Sequence, residues 1–526
     1  LHLCDRRQRQ MCIRDRSREG YGMKKEKARK ILMIIGLAIC MATMAVSIVF
    51  IAKIIELDVL RKTLIGVIIA LASVLLIIIG ITQRWIVPGI ITKIVAIAMI
   101  VAMIFCINYI NITTKALDKI SNMKTEISNV RVYVMNDSAI DKLQDVRSDR
   151  YGIVTGLDNE NTEKALNLIA KELNTSISYT KYTGIMQLME ALYNNKVDAI
   201  VLNSAFIPVL ESVSEYSDMD KKIKSIWSVD IEKLVEDDSN TNPSGDDTKE
   251  PETKDPYDQY KDYLYGGDDV FTLYVSGIDT NGSPMVNRNS DVNILITFNT
   301  KTRQILMINT PRDFYVPLSI SNGVKDKLTH AGCYGIQVSV DTLQMLYGIK
   351  IDDYLKINFT GFVNVIDQLG GVNVYSEYDF TSVDGYSYKK GYNMLDGRLA
   401  LSFARERHAF GSGDRQRGKN QMAVIKAIID KCTSTDALLN YESVLGAITD
   451  SIATSMSRDE ITDLIKMQLS DMKGWDIVTY SVDGKGDNLM TFSLTAPNYV
   501  MVPTEATVIK AKEYLAKIYA GEKIEG

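Results

Sequence analysis

Thiolate chemistry is the first thing the sequence withholds. No Cys-x-x-Cys pair and no Cys/His cluster occurs in its 526 residues, so nothing in it has the ligand spacing of a zinc site. A surplus of positive charge is missing too. Its 60 Lys and Arg face 65 Asp and Glu, leaving −5 with the three histidines neutral. Such a surface does not attract a polyanion along its length. The basic stretch at 403–421 carries only Phe403 and Phe410 as aromatic residues, too few to interleave with its cations and stack on bases, which argues against a nucleic-acid partner.

Long apolar runs are abundant. "ILMIIGLAICMATMAVSIVFIA" (31–52), "TLIGVIIALASVLLIIIGIT" (63–82) and a third run from Trp85 to Ile110 each approach the ~20 residues that cross a bilayer. They predict three transmembrane helices within 31–112, interrupted only by Pro88 and Lys93 near one end of the third. A cleaved signal peptide would account for the first run alone. The five Lys/Arg residues of "MKKEKARK" (23–30) precede the first span and assign this tail to the cytoplasm. Three crossings then place everything after about residue 112 outside, although Lys53, Arg61 and Lys62 in the first outer loop oppose that bias. Residues 1–22, with "LCDRRQRQMCIRDRS", resemble translated adapter text rather than protein, and Met23 is the more natural start. Of the cysteines outside that stretch, Cys40 and Cys106 fall in the spans. Cys333 and Cys432 fall beyond them, where they can pair or stay unpaired.

Beyond the membrane segments the composition alternates. Residues 129–230 read as a small accessory α/β domain, with strands at "VRVYVM" and "YGIVTG" and an amphipathic helix at "TEKALNLIAKELN". Its rhythm resembles half of a solute-binding domain, it holds no catalytic cluster, and a spacer or docking role suits it. Residues 236–264 are acidic, rich in Pro, Ser and Asp, and predict a disordered linker. From 268 to 435 the α/β pattern returns. "DVNILITFN" and "QILMINT" form an antiparallel pair. "YGIQVSVDTLQMLYG", "TGFVNVIDQLGG" with Thr360 as N-cap, "LDGRLALSFAR" capped by Asp396, and "GKNQMAVIKAIIDK" are helices. One mixed sheet covered by helices on both faces is expected, an α-β-α sandwich, with 436–526 as a helical or α+β extension packed on it.

The stretch "FARERHAFGSGDRQRGKNQ" (403–421) gathers Arg405, Arg407, Arg415, Arg417 and Lys419 around a Gly-Ser-Gly loop. On a helix Asp414, Arg417 and Gln421 project from one face, while Met422, Ile425 and Ile429 face the core. Asp414 alone reads as the N-cap. Arg405 and Arg407 share a direction only where the chain is extended, and the preceding helix ends there. Guanidinium forks bind phosphate bidentately, so this stretch reads either as an anion site or as a solvated charged face. Distant residues join the candidates: Asp279 ends one apolar strand and Asp291 begins the next. Arg312 and Asp313 follow "QILMINT", and Lys327, His330 and His408 adjoin these motifs.

"SGIDT…SDVNILITFNTKTRQILMINTPRDFYV", "DKLTHAG", "INFTGFVNVIDQLGGVNV" and "FARERHAFGSGDRQRGKNQ", in this order over about 270–435, resemble the extracellular catalytic domain of the LytR–CpsA–Psr family. The resemblance implies a membrane-anchored phosphotransferase that moves a glycopolymer from a polyprenyl-pyrophosphate carrier to a peptidoglycan hydroxyl. Teichoic acid, capsule or a related polymer would be the cargo, at the plasma membrane of a Gram-positive-type envelope. It implies Mg²⁺ on Asp279 and Asp291. Arg312, Lys327, Arg405, Arg407, Arg417 and Gln421 would bind the pyrophosphate, Asp414 would line the same pocket, and apolar side chains between sheet and helices would take the lipid tail. Either Asp414 or Asp313 would serve as base. The family's usual arginine two residues before the second metal aspartate is here Asn289, with Arg288 one residue earlier. In an extended segment that shift points the side chain the other way. A lipid-pyrophosphate hydrolase and a non-catalytic receptor for lipid-linked glycan are the competing functions.

Overall fold

The computed structural model describes residues 2–121, 125–235, 269–434, 449 and 451–525, so the expected linker at 236–264 lies outside the described residues. The chain divides into two compact units, residues 1–117 with 459–471, and residues 118–458 with 472–526.

In the first unit the helices His2–Leu57, Lys62–Thr82 and Ile86–Ser121 follow one another. Three segments, Arg29–Leu57, Lys62–Thr82 and Ile86–Ser121, are long and apolar enough to cross a membrane. The third runs eleven residues past Ile110, the expected end of its apolar run. Ile34, Leu71, Ile94 and Phe105 stand exposed on these helices, an arrangement that water penalises and lipid does not. Lys93 is satisfied locally, donating to Gln83 Oε1 at 2.6 Å and to the Gly89 carbonyl at 3.1 Å.

The second unit contains two principal sheets. The first has five strands: β1 (Thr125–Met135), β2 (Tyr151–Val154), β3 (Tyr179–Tyr182), β4 (Ala199–Asn203) and β5 (Ile223–Leu234), in the order β3-β2-β4-β1-β5. β2 pairs in parallel with β3 and β4, and β1 runs antiparallel to β4 and β5. The helix Asn159–Leu173 packs Ala165, Leu166 and Ile169 onto Val130, Val132 and Val201. The helix Ile185–Tyr193 buries Ile185, Leu188 and Leu192 with Tyr133 and Ile200, so each side of the sheet has its own core.

The second sheet is built on β6 (Val270–Ile278), β7 (Ser290–Asn299) and β8 (Gln304–Asn309), all antiparallel neighbours. β9 (Tyr315–Pro317) and β10 (Lys325–Lys327) form a small ribbon, and β11 (Asp353–Asn358) joins β6 in parallel. β12 (Val372–Ser376) pairs with β15 (Gly391–Leu395), and the connection between them holds the short pair β13 (Phe380–Thr381) and β14 (Ser387–Tyr388). β16 (Ile452–Thr454) and β17 (Asp476–Ser481) complete six strands in the order β16-β11-β6-β7-β8-β17. The segment expected as an extension packed on the domain is therefore part of its sheet and supplies both edges. Beyond it come the hairpin β18 (Gly484–Met490) and β19 (Pro497–Pro503) and the helix Glu505–Tyr519.

Strand alternation gives this sheet two different faces. Tyr274, Leu295, Leu306, Ile308 and Tyr354 point to one side, where they form a filled core with the helices Ile336–Tyr347 and Glu505–Tyr519. The other face presents Leu273, Val275, Ile296, Phe298, Leu355 and Ile357 to a cavity rather than to close-packed side chains. The helices Phe359–Gln368, Gly397–Arg405 and Asp414–Cys432 roof that cavity and pack in turn on Val372, Val374 and Leu395 of the β12–β15 ribbon. The mixed sheet with helices on both faces is the α/β architecture expected from the sequence.

Candidate functional site

The cavity holds about 540 Å³ and is apolar along most of its length. Ile425, Ile428 and Ile429 of the helix Asp414–Cys432 belong to its wall. Ile425 and Ile429, expected in a solid core, therefore face open volume, whereas Met422 is buried as expected. At one end stand Asp279, Asp291, Arg312, Arg405, Arg407, His408, Arg417 and Gln421.

A β-bulge brings the two aspartates to the cavity. Gly277 faces Val292 across the β6–β7 ladder, but Ile278 faces Ser290, so Asp291 is the extra, unpaired residue. A bulge re-aims the side chain it carries, and here that side chain joins Asp279 beyond the end of β6. Asp291 accepts from Arg312 Nη1 at 3.0 Å and from Thr329 Oγ1 at 3.1 Å. Asp279 has neither hydrogen bond nor ion pair among the described residues. Burial and the neighbouring Asp291 push its pKa up, against the pull of Arg405, Arg312 and Arg417.

The stretch 403–421 divides its cations. The helix Gly397–Arg405 begins at Asp396, whose carboxylate accepts from the Leu399 amide at 2.8 Å, and stops at Arg405. Extended backbone at Glu406 then sets Arg405 and Arg407 toward the cavity together. Arg405 lies over the Phe359 ring at 4.4 Å, and Arg407 Nε donates to His408 Nε2 at 3.3 Å. Buried Glu406 ties the loop down by accepting from the amides of Val383 and Ala409 at 2.7 and 2.8 Å. Arg415 instead reaches Asp483 at 2.6 Å, and Lys419 pairs with Glu377 at 3.4 Å. Neither lines the cavity.

Asp414 is not the cap of its helix. Gly413, with φ +53°, takes that position, and Asp414 is the first helical residue. Its carboxylate is thereby free to lie among three arginines, 3.4 Å from Arg417, 3.8 Å from Arg407 and 3.9 Å from Arg312. Asp414 is therefore set behind the arginines rather than on the cavity wall. Gly418 lets this helix cross the end of β8 closely, since a Cβ there would collide with the Asn309 side-chain amide.

Charge is unevenly settled in the cluster. Burial works against the Arg312 guanidinium, but Asp291, Asp313 and Asp414 outweigh it and raise its pKa. Arg417 goes the other way, lowered by burial and by Arg312. Crowded, partly desolvated guanidiniums of this kind favour an incoming anion.

Some predicted residues take other places. Lys327 is buried and pairs with Asp313 at 3.3 Å, away from the cavity wall. Asp313 also lies 3.6 Å from Arg312. His330 is structural, its Nδ1 2.7 Å from the fully buried Asp326, which also accepts from the amide of Ser493 at 2.8 Å. Cys333 and Cys432 are free. Arg288 turns away from the cavity and donates to the Ser204 carbonyl at 2.7 Å, while Asn289 accepts from the Cys333 thiol at 2.9 Å. The one-residue shift thus makes an arginine that grips the five-stranded sheet's domain. Thr329, Phe359 and Glu406 escaped the sequence reading. The first two carry no charge to attract notice, and Glu406 is hidden between two arginines.

The LytR_cpsA_psr family profile matches residues 233–507. A polyisoprenyl-teichoic acid–peptidoglycan teichoic acid transferase TagU of Enterococcus faecalis is 34% identical over 193 residues, 36% of this chain and 63% of the relative. The TagU of Bacillus licheniformis is 32% identical over 197 residues, 37% of this chain and 63% of that protein. The chain thus spans just under two thirds of the length of these curated relatives. Among solved structures, B. subtilis TagV matches with a TM-score of 0.41 and 25% identity, over 49% of this chain and 100% of that one. TagT bound to LI-WTA matches with a TM-score of 0.38 and 26% identity, over 48% of this chain and 92% of that one.

Proposed function

The chain belongs to the LytR_cpsA_psr family, and on that premise we propose that it is a membrane-anchored phosphotransferase acting on a lipid-linked glycopolymer. The donor is a polyprenyl-pyrophosphate glycopolymer of teichoic-acid or related type, and the acceptor is a hydroxyl of peptidoglycan. The observation that carries this reading is the union of a deep apolar cavity with a rim of four arginines, Arg312, Arg405, Arg407 and Arg417. An amphiphile with a polyanionic head and a long hydrocarbon tail satisfies both halves. The family relatives named as teichoic acid transferases support the same assignment.

Phosphoryl transfer asks a protein mainly for charge neutralisation and alignment. Arg405 and Arg407, aimed by the helix end, would hold the pyrophosphate oxygens, with Arg312 and Arg417 behind them and Gln421 beside them. Asp414 acts as a positioning residue that keeps Arg312, Arg407 and Arg417 apart and oriented. Asp279 and Asp291 would hold Mg²⁺. Two adjacent carboxylates, one with a raised pKa, are an oxygen-only donor set short of a cation. The bound ion would neutralise pyrophosphate charge. On this reading the basic tail 23–30 stays in the cytoplasm and the arginine-rimmed cavity works outside, where peptidoglycan lies.

The test uses the full chain in detergent micelles, a labelled polyprenyl-pyrophosphate oligosaccharide and peptidoglycan fragments, with magnesium or a chelator. Magnesium-dependent joining of label to the acceptor is the expected result. Release of the glycan to water without joining would favour a hydrolase, and tight lipid binding without turnover would favour a receptor.

A further inference from the structure

The β12–β15 ribbon has one face more than its core needs. Val372, Val374 and Leu395 point inward and are buried. On the opposite face Tyr375 sits across from Tyr392 in the ladder, their rings 5.3 Å apart and inclined at 73°. Tyr392 is 73% exposed, its neighbour Met394 68% and Tyr375 48%. Large aromatic side chains held edge to face on a solvent-facing sheet gain little for folding, and exposed apolar patches of this sort mark binding surfaces.

This face is continuous with the cavity rim. Tyr378, just past β12, is exposed and packs against Phe410 at 6.0 Å, and Phe410 belongs to the loop that carries Arg405 and Arg407. Val383 and Asp384, in the connection between β12 and β15, line the cavity itself.

We propose that the tyrosine face of the β12–β15 ribbon binds the acceptor glycan strand and brings its sugar hydroxyl to the arginine rim. The inference rests on the transfer reading above, because that reaction requires a sugar acceptor beside the phosphate site. Pyranose rings offer an apolar C–H face that lies flat on tyrosine, and their hydroxyl and acetamido groups match the phenol as donor and acceptor. Tyrosine also gives such contact at small cost in side-chain freedom. A bilayer surface would suit tyrosines too. However, the same connection sets Glu377, Asp379 and Asp384 against only Lys389 and Lys390, a balance that gives anionic headgroups no net attraction.

The test measures binding of the detergent-solubilised full chain to purified, undecorated peptidoglycan glycan strands, alongside binding of a polyprenyl pyrophosphate. The Tyr375→Ala/Tyr392→Ala double variant should bind strands about tenfold more weakly, with polyprenyl-pyrophosphate binding unchanged. The milder Tyr375→Phe/Tyr392→Phe variant, which keeps the rings, should retain most of the strand affinity. Unchanged strand binding in the alanine variant overturns the proposal, as does quenching of these tyrosines by brominated lipid in reconstituted vesicles, which would assign the face to the membrane. The readout needs no turnover. A chain that binds strands through these tyrosines yet joins no glycopolymer supports the surface while sinking the transfer reading.

Discussion

Arg405→Ala and Arg312→Ala remove the same charge from the same rim, yet their surroundings predict different consequences. Arg405 is exposed, has no ion pair among the described residues, and touches the Phe359 ring at 4.4 Å. Folding should lose only that contact, about 0.5–1 kcal/mol at an exposed site. Arg312 has a side chain only 25% exposed and serves Asp291, Asp313 and Asp414. Its removal leaves three carboxylates short of a partner. Because Thr329, Lys327, Arg407 and Arg417 remain, the cost should sit near the low end for a broken buried pair, about 3 kcal/mol. Transfer should fall by roughly 10²–10³ in both variants, the usual effect of losing one donor to transition-state charge. Phe359→Leu, which keeps the charge but not the stack, should cost only about two- to fivefold. Transfer rate on the lipid-linked donor and denaturant midpoint of the purified chain separate these effects. Arg405→Ala retaining more than a tenth of wild-type transfer, or proving as unstable as Arg312→Ala, would refute the reasoning.

Asp279 has a raised pKa, from burial and from Asp291, so its contribution to stability is present in acid and is lost as pH rises through that pKa. A cation on the two carboxylates reverses the loss, and thermal shift by Mg²⁺ should be clear at pH 7 and vanish near pH 4; equal shifts at both would remove the ion from this pair. Burial opposes the charge of Asp326, but His330 and Ser493 outweigh it and depress the pKa. That stability is present above the ordinary carboxylate pKa and is lost as pH falls through the depressed one. His330→Leu should destabilise by about 3 kcal/mol and move the acid-unfolding midpoint upward. Arg288→Ala should leave transfer intact while speeding amide exchange around Ser204, whose carbonyl it holds; a loss of transfer would return Arg288 to the catalytic site.

The strands were the legible part of the fold, because β6 and β7 carry short, largely apolar runs bounded by turn residues. Helix starts were harder. Asn358 ends β11 and also caps the next helix through the Gly361 amide at 2.8 Å, so the expected cap, Thr360, falls inside the first turn. Local sequence offers Asp414 a capping role as readily as a pocket one, and it is Gly413, with its positive φ, that takes the cap position and releases it. Arg405, Arg407 and Arg417 were legible as a cluster, since the extended pair and helix spacing are local, whereas Arg312 joined them only through the family resemblance. The exclusion of Arg415 and Lys419 was not, because Asp483 and Glu377 come from distant chain. Nor was the diversion of Lys327 to Asp313. Spacing could not reveal that Ile425 and Ile429 face a void, as core and cavity wall demand the same residues. The bulge at Asp291 left no mark in the sequence.

Both borders of the six-stranded sheet, β16 and β17, come from residues synthesised after every other strand of that sheet. While the chain is still being completed, β11 and β8 are therefore briefly raw edges, open to pairing with any passing strand. Closing them takes contacts across nearly a hundred residues at β16 and β11 and 172 at β17 and β8, which is slow by chain-closure entropy. The fold is most vulnerable in that interval, and the yield of folded chain should depend on assistance during it. A nonsense change between residues 310 and 475 would leave the outer edge of β8 permanently unpaired, giving an aggregation-prone fragment rather than a merely weakened fold.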